Sequence, residues 1–279
     1  MLAIMIGIPL LFTGGSFAMS RIGGNVQAVE PDNSDIPSVR LAVAQSPTSR
    51  AESRELQALV EKLAKQSPNA VAISVRDLKT GAMADVDGDR SMTSASLYKL
   101  FVANQIYRKV DAGELKLTKR LPRGKTVAQC LRPMIVVSDN PCGAQLGDVL
   151  GWGKQDASLT EQGYTKTSLA DLPKTSSADV ALLLARLYAG TLLSKESNAA
   201  FMELLKDQTI VNRLPQGLPV DTEIAHKTGD LYGYMHDSGL VFSSGRDYVV
   251  SIMSGPWDFP AQAPATFIDI SRQLWQFFQ

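Results

Sequence analysis

Two periodicities of apolar positions alternate along this chain. In residues 51–66 the apolar side chains recur every three or four positions, which is typical of a helix that packs one face on a core. They are Leu56, Leu59, Val60 and Leu63. Residues 70–78 and 82–88 are then rich in Val, Ile and Ala, and the turn-forming triplet Lys79-Thr80-Gly81 separates them. The pattern predicts a helix followed by a β-hairpin.

A helical block follows in the middle of the chain. Its amphipathic segments are 96–112, 126–137, 141–151, 176–189 and 194–206. The segment that starts at Ser176 shows both of its ends, because Ser-x-x-Asp precedes its apolar run and Gly190 follows it. Strand-like runs return at 222–229, 237–244 and 247–255, and a last helix carries Phe267, Ile270, Leu274 and Phe277 on one face.

This order of elements predicts an α/β fold of the α+β kind. We expect an antiparallel sheet, flanked by the N- and C-terminal helices, and in addition an all-helical region. The sheet part is expected at about residues 51–92 and 218–279, and the helical part at about 93–217. Both ends of the folded chain therefore build the sheet, and the helical region is inserted between them.

Composition narrows the class of protein. The 279 residues are 44% hydrophobic and 20% charged, and 28 basic residues balance 28 acidic ones. This is typical of a soluble globular protein with no overall electrostatic bias, so we expect no binding of nucleic acid. The sequence has no phosphate-binding glycine motif, and no Cys/His cluster at ligand spacing accompanies His226 or His236. We expect structural histidines, no metal centre and no cofactor.

The N-terminal residues predict export. Residues 1–21 contain an apolar run that is short for a spanning helix and fits a secretory signal, with a small-x-small pattern at Ser16-Phe17-Ala18. The usual basic residues before the run are missing, so a cleaved signal peptide and a membrane anchor both stay open. Residues 22–50 show no regular period and predict a flexible linker. We expect the folded domain at 51–279, outside the cytoplasmic membrane.

The only cysteines, Cys130 and Cys142, lie on either side of a predicted turn. In an oxidising compartment such a pair can form a disulfide, and two free buried thiols agree with the sequence equally well. The distance between the two Cα atoms decides between them.

A serine and a lysine stand one helical turn apart in the stretch SASLYKLFVA, residues 94–103. Positions i and i+3 share one face of a helix, so Ser96 and Lys99 lie side by side. Burial lowers the pKa of a lysine and makes a neutral amine available near pH 7. The pair therefore fits a nucleophile and its activating base. Taken alone, the spacing also fits a helix that begins with a capping serine and exposes its lysine.

Two later triplets complete an ordered set. Ser138-Asp139-Asn140 lies at a predicted turn between helices, and Lys227-Thr228-Gly229 lies at the end of a predicted strand. The order S-x-x-K, S-D-N, K-T-G is a signature of class A β-lactamases and penicillin-binding proteins. The other KTG, at residues 79–81, lies in the hairpin turn and precedes the serine. We interpret Lys79 as a surface residue and Lys227 as the functional one.

On these motifs the sequence resembles the penicillin-recognising serine hydrolases, and within them the class A β-lactamase-like branch, over about residues 51–279. The segments RKVDAGELKL at 108–117 and HKTGD…HDSGLVF at 226–242 add to the likeness. The resemblance implies a β-lactamase/transpeptidase-like fold, with a sheet domain, an all-helical domain and the site between them.

The resemblance also implies catalytic roles. Ser96 would be the acylated nucleophile and Lys99 its base partner. Ser138 would relay a proton to the leaving nitrogen, and Lys227 would shape the electrostatics of the site. Two neighbouring ammonium groups are costly to protonate together, so we expect at least one of the two lysines to have a lowered pKa.

Substrate binding is implied for the other motif residues. Asn140 would hold the acyl amide and Thr228 the substrate carboxylate, with Gly229 in the same binding strand. The backbone N–H groups of Ser96 and Asp230 would stabilise the oxyanion. We expect the side chain of Asp230 itself to be solvated.

The chain departs from class A β-lactamases before Ser176. Those enzymes carry Glu-x-x-Leu-Asn on a long loop, and this glutamate positions the water that clears the acyl-enzyme. Residues 163–180 read GYTKTSLADLPKTSSADV, which lacks the motif and is too short for the loop. We do not expect Asp171 to replace the glutamate. Its side chain is one methylene shorter and would need a compensating shift of the backbone, and about 1 Å of misplacement of a catalytic group can cost roughly 100-fold in rate. The arginine that the family carries on the strand after KTG is absent as well, since MHDSGL stands there. Arg213 could approach the substrate carboxylate from another direction, but we expect it at the surface, at the end of a helix.

We therefore expect an extracytoplasmic serine-type DD-peptidase, a penicillin-binding protein whose ligands are peptidoglycan stem peptides and β-lactams. It would act on D-alanyl-D-alanine peptides and would be acylated by β-lactams. Two alternatives stay open: a β-lactamase with an unconventional deacylation route, and a sensor module that is acylated without turnover.

Overall fold

A computed structural model describes residues 47–279. The predicted signal or anchor at 1–21 lies outside the described residues, as does most of the predicted linker. Helix α1 (Pro47–Gln66) begins before the expected domain start at 51, so the last residues of the expected linker are helical. Within 47–279 no helix is long and apolar enough to cross a membrane.

Seven strands occur in the described part of the chain. They are β1 (Val71–Asp77), β2 (Met83–Val86), β3 (Met92–Thr93), β4 (Lys174–Thr175), β5 (Ile224–Leu231), β6 (Tyr234–Val241) and β7 (Tyr248–Ser254). Five of them form one sheet in the order β2-β1-β7-β6-β5, and its pairs are antiparallel. Strand β1 pairs with β7 from Val71↔Ser254 to Asp77↔Tyr248. This pairing joins the two ends of the folded chain, which confirms the predicted α+β fold.

The remaining helices mostly follow the predicted boundaries within two residues. They are α2 (Tyr98–Asp111), α3 (Val127–Val136), α4 (Asn140–Leu150), α5 (Asp156–Glu161), α6 (Ser177–Tyr188), α7 (Lys195–Lys206) and α8 (Ala263–Phe278). The apolar pattern does not predict α5, β3 or β4, because each is too short to show a period.

Apolar side chains cover both faces of the sheet. On β7, Val250 and Ile252 face a cluster built with α1 and α8, whereas Val249 and Met253 join a larger cluster built by the inserted helices. Helix α6, expected in the helical part, packs directly on this second face. Phe278 rather than Phe277 completes the buried face of α8, and its ring stacks on that of Tyr248 at 4.2 Å between centroids.

The segment before α6 is fixed to the body by polar contacts. Ser176 caps α6 as predicted, since its Oγ accepts from Asp179 N at 3.2 Å. The Asp179 carboxylate in turn accepts from Lys166 N at 2.8 Å and from Thr167 Oγ1 at 2.7 Å. The β3–β4 pair then brings this segment alongside the residues that precede Ser96.

Candidate active site

Ser96 lies in a 3₁₀ turn, Ala95–Leu97, immediately before α2. Ala95 has a φ of +45°, a left-handed conformation that costs energy for any residue with a Cβ. The turn is tied to the opposite segment because Ser94 N and Ser94 Oγ both donate to Pro173 O at 2.9 Å. Ser96 is therefore presented on a fixed and strained turn, as functional groups often are.

Lys99 is fully buried, although it belongs to the first turn of α2. Its Nζ atom lies 3.2 Å from Ser96 Oγ and 3.2 Å from Ser138 Oγ. It also donates to Ser138 O at 2.6 Å and to Asn140 Oδ1 at 2.7 Å. Burial lowers the pKa of Lys99 to about 8, against the opposing effect of the Asp139 charge. The geometry excludes the simple capping serine with an exposed lysine.

The triplet Ser138-Asp139-Asn140 forms the junction between α3 and α4. Ser138 has a φ of +58°, so the junction is a second point of backbone strain. Asp139 caps α4, since its Oδ1 accepts from Cys142 N at 2.7 Å. Cys130 and Cys142 form a disulfide with their Cα atoms 4.9 Å apart, which ties the two helices on either side of the triplet. Capping and cross-link together hold Ser138 and Asn140 opposite Lys99.

Gly143 has a role that the sequence motifs do not reveal. A Cβ at this position would lie 2.7 Å from Tyr98 Oη and 3.0 Å from Lys99 Cε. Glycine therefore lets α4 approach the lysine this closely without displacing either side chain. The one signal in the sequence is the glycine placed three residues after Asn140 in an otherwise helical segment.

Lys227 reaches the same point from strand β5. Its Nζ donates to Ser138 Oγ at 2.9 Å and to Thr228 O at 2.9 Å. Burial, with the Lys99 charge as the next cause, lowers the pKa of Lys227 to about 7. Both lysines thus have the lowered pKa that the sequence predicts for at least one of them. Lys79 of the other KTG is exposed in the turn after β1, as interpreted from the sequence.

Gly229 allows β5 to pass close to Ser96. A Cβ here would lie 3.2 Å from Ser94 O and 3.2 Å from Ser96 N, both of which are backbone atoms. The neighbouring Thr228 is buried on the same strand. The structure therefore brings Gly229 to the serine turn, with Thr228 next to it on β5.

The expectation of a surface position for Arg213 is wrong. Its side chain is 1% exposed, its guanidinium forms an ion pair with Asp230, and its Nη1 donates to His236 O at 2.9 Å. The Asp230 side chain is 49% exposed and is not simply solvated. The helical pattern ends at Lys206, and nothing in the sequence shows that the next segment folds back against β6 and α8.

Both histidines are buried and form hydrogen bonds. His226 Nδ1 lies 2.9 Å from Asp237 Oδ1. His236 Nε2 lies 2.8 Å from Thr93 O, and its Nδ1 accepts from Ser254 N at 3.2 Å. Burial lowers the pKa of His236 to about 4, so this ring is neutral and positions β3 rather than titrating near pH 7.

Asp171 stands apart from the serine–lysine cluster. Its side chain is exposed, and within residues 47–279 no hydrogen bond or ion pair joins it to Ser96 or Lys99. It borders a surface cavity of about 370 Å³ together with Trp152 and Pro173. The neighbouring Leu172 is 61% exposed with a φ of +52°. Ala170, Leu172 and Pro173 line the same cavity, so the segment that passes the serine turn is mostly apolar.

A nucleophile, a partly neutral amine and a second hydroxyl within hydrogen-bond reach can carry out acyl transfer without a metal ligand set. The antiparallel sheet, the inserted helices and the Ser96–Lys99 pair define a serine hydrolase with the β-lactamase fold. A family model described as "Beta-lactamase enzyme family" matches residues 53–278. The chain belongs to this family.

Solved structures agree with this assignment. PBP-A is 26% identical, with a TM-score of 0.75, over 80% of this chain and 96% of that one. A point mutant of PBP-A, as an acyl-enzyme complex with penicillin G, is 25% identical with a TM-score of 0.75, over 81% of this chain and 96% of that one. An ancestral class A β-lactamase is 25% identical with a TM-score of 0.73, over 80% of this chain and 100% of that one. No curated protein is similar enough to count as a relative.

Proposed function

We propose that this protein is a serine acyl-enzyme hydrolase of the DD-peptidase type. Its substrates would be the D-alanyl-D-alanine peptides of peptidoglycan, and β-lactams would acylate it. The observation that carries the proposal is the convergence of Lys99 Nζ and Lys227 Nζ on Ser138 Oγ, with Ser96 Oγ 3.2 Å from the first of them.

In the proposed acylation, neutral Lys99 takes the proton of Ser96 Oγ while that oxygen attacks the carbonyl carbon of the penultimate D-alanine. The negative charge that develops on the carbonyl oxygen is stabilised by the backbone N–H groups of Ser96 and Asp230. The C–N bond then breaks, and Ser138 Oγ gives its proton to the departing D-alanine nitrogen. Lys99 passes the proton that it took from Ser96 to Ser138 and becomes neutral again. Water later attacks the ester carbonyl and gives a proton to Lys99, which returns it to the leaving Ser96 Oγ as the peptide is released with a free carboxyl group.

The remaining motif residues are assigned to binding. Asn140 would hold the acyl amide of the substrate, since it begins α4 beside Lys99. Thr228 would bind the terminal carboxylate and Lys227 would supply positive charge next to it. Gly229 would keep the binding strand β5 close to the serine turn. A hydrogen bond between a buried cationic group and the terminal carboxylate of the substrate is strong and would fix the orientation of the substrate.

The shortened segment before α6 favours peptidase over β-lactamase activity. A β-lactam leaves its departing nitrogen tethered to the acyl group, so a water needs a well-placed base to reach the ester. Asp171 is exposed and, in the described chain, forms no hydrogen bond or ion pair with Ser96 or Lys99. The similar PBP-A mutant forms an acyl-enzyme with penicillin G, which supports acylation by penicillin in this protein.

A class A-like β-lactamase is the second candidate. It is favoured by the similarity to the ancestral class A β-lactamase, which this chain covers over 100% of that protein's length. Asp171 would then have to position the deacylating water from the border of the cavity that it lines with Trp152 and Pro173. A sensor module that is acylated without turnover needs the same acylation machinery and differs only in the fate of the ester.

We also place the site outside the cytoplasm in this proposal. The predicted signal or anchor at residues 1–21 supports it, and so does the Cys130–Cys142 disulfide, because such bonds persist in oxidising compartments. Membrane anchoring by the N-terminus remains part of the same proposal.

Two activities measured side by side test the proposal. We expect D-alanine release from a diacylated D-Ala-D-Ala peptide, and with a chromogenic β-lactam a burst of one product per site followed by slow turnover. Intact-mass analysis after penicillin should give one adduct, which is lost in Ser96→Ala. Rapid β-lactam turnover without D-alanine release would identify a β-lactamase. A stable adduct with neither turnover would identify a sensor.

A further inference from the structure

An unpaired basic loop lies just before α3, the helix that leads to the Ser138-Asp139-Asn140 junction of the candidate active site. Residues 116–125, KLTKRLPRGK, are called the basic loop, and no acidic residue occurs between residues 115 and 138. Its exposed cations are Lys116, Lys119, Arg120, Arg123 and Lys125. Within the described chain none of them forms an ion pair, whereas Lys109, Arg132 and Arg246 elsewhere do. Local charge of this kind is notable in a protein with no net charge.

The basic loop has a fixed shape. Leu121 N donates to Lys125 O at 2.8 Å, Gly124 N donates to Leu121 O at 2.9 Å, and Val127 N donates to Lys119 O at 3.0 Å. Leu121 is buried and anchors the turn. A fixed loop loses little conformational entropy when a ligand binds to its side chains.

Contacts with α4 connect the basic loop to the site. Arg123 N donates to Gln145 Oε1 at 3.0 Å, and Lys125 Nζ lies 3.8 Å from Cys142 Sγ. A surface cavity of about 470 Å³ separates Lys119 and Arg120 from Gln145 and Asp148. The helix that forms its far wall is the one that begins at Asn140.

We propose that the basic loop binds carboxylate groups on the acyl side of the peptide substrate, upstream of its D-alanyl-D-alanine end. This inference rests on the proposed function, because Asn140 would hold the acyl amide and the rest of the peptide would run along α4. From Asn140 to Asp148 the helix rises about 12 Å. Roughly three to four extended peptide residues span that length. An acidic residue a few positions from the scissile bond would therefore reach Lys119 and Arg120.

The lining of the cavity favours a peptide over a membrane surface. Apolar side chains of Leu121 and Val149 and the carboxylate of Asp148 accompany the cations, which suits a chain that carries apolar, acidic and amino groups. None of the exposed large apolar side chains among residues 47–279 lies in the basic loop. Insertion into a lipid surface needs such side chains next to the cations.

The test measures binding separately from turnover. Labelled peptides ending in D-Ala-D-Ala, with either free carboxylates or carboxamides on the acyl side, are titrated onto full-length Ser96→Ala protein and followed by fluorescence anisotropy. Lys119→Gln/Arg120→Gln is added in this background. Lys62→Gln/Lys65→Gln on α1 is the matched control, since both lysines are exposed and the charge change is the same.

We expect the double variant and peptide amidation each to weaken binding roughly 5- to 20-fold, with little further loss when both are present. The control should stay within about twofold, and salt should remove the difference. Equal affinity for the acidic and amidated peptides, an equal loss in the control, or no peptide binding would overturn the proposal. So would loop-dependent binding to anionic vesicles or polyphosphate without binding of the acidic peptide.

Failure of the proposed function would look different. With Ser96 intact, the control variant Lys62→Gln/Lys65→Gln should be acylated by penicillin at the wild-type rate, because both lysines are exposed on α1 and have no part in the site. If the wild-type protein releases no D-alanine but Ser96→Ala still discriminates the acidic from the amidated peptide, the peptidase proposal fails and the basic-loop proposal stands.

Discussion

Lys99 and Lys227 direct their Nζ atoms at the same hydroxyl oxygen, Ser138 Oγ, over distances of 3.2 and 2.9 Å. Two ammonium groups this close in a buried site repel each other, and burial alone already disfavours their charged forms. The pair therefore holds one of its protons weakly, and Ser138 links the two amines. This coupling is the source of the pH dependence expected for the site.

The rate of acylation by penicillin should rise with pH and level off above about pH 8. A base must be neutral to accept the serine proton, and the lowered pKa of Lys99, about 8, places its neutral form in that range. The midpoint belongs to the coupled pair rather than to one residue. Stopped-flow acylation from pH 5 to 10 measures it. A rate that rises only near pH 10 would mean that neither lysine is perturbed.

Lys99→Ala should reduce acylation by about 100- to 10,000-fold, the range for loss of a general base. The exposed Lys79→Ala is the matched control and should leave the rate within about twofold, since Lys79 lies in a solvated turn. Circular dichroism checks that both variants are folded. Loss of activity in Lys79→Ala with full activity in Lys227→Ala would show that the KTG at 79–81 is the functional one.

Gly229→Ala should slow acylation roughly 10-fold, because a Cβ 3.2 Å from Ser96 N pushes the serine turn by a few tenths of an ångström. Gly255→Ala is the comparison, since a Cβ there meets no atom within 4 Å. Penicillin acylation rates and melting temperatures of the two variants should separate a local effect from a loss of fold. Unchanged acylation in Gly229→Ala would contradict the close approach of β5.

Removal of the disulfide should lower the free energy of unfolding by about 3 kcal/mol, the chain-entropy value for closing a loop of this length. The Cys130–Cys142 bond joins residues with a sequence separation of 12 and encloses Ser138. Cys130→Ala/Cys142→Ala should therefore also slow acylation, through a looser Ser138-Asp139-Asn140 junction. Urea unfolding with and without dithiothreitol, on wild type and variant, gives the measurement. An effect of dithiothreitol on the variant would point to a cause other than this bond.

Asp171→Asn should change the lifetime of the penicillin acyl-enzyme by less than about threefold, because an exposed carboxylate without contacts to Ser96 or Lys99 positions no water. Intact-mass time courses after removal of free penicillin measure the lifetime. A change near 1,000-fold, on the order of what loss of one catalytic group costs, would show that Asp171 replaces the missing glutamate and that the second candidate function is correct.

Much of the site can be predicted from the sequence, because its chemistry depends on the local spacing of residues. Ser96 and Lys99 are one helical turn apart, and the two triplets stand at the ends of predicted elements. The choice of Lys227 over Lys79 also follows from order and context alone. The periodicity of apolar residues also predicts α1, the hairpin, the long helices and the last three strands, because each of them contains enough residues to show its period.

Tertiary structure alone decided the rest. Several features of the site join residues from different segments of the chain. They are the ion pair of the buried Arg213 with Asp230, the disulfide, the space that Gly143 leaves for Lys99, and the contact of both lysines with Ser138. Such contacts depend on how finished elements pack, and packing is set by side chains from several segments at once. The local spacing of residues therefore determined which groups carry the chemistry, and the packing of β5, α2 and α4 decided their distances and their pKa values.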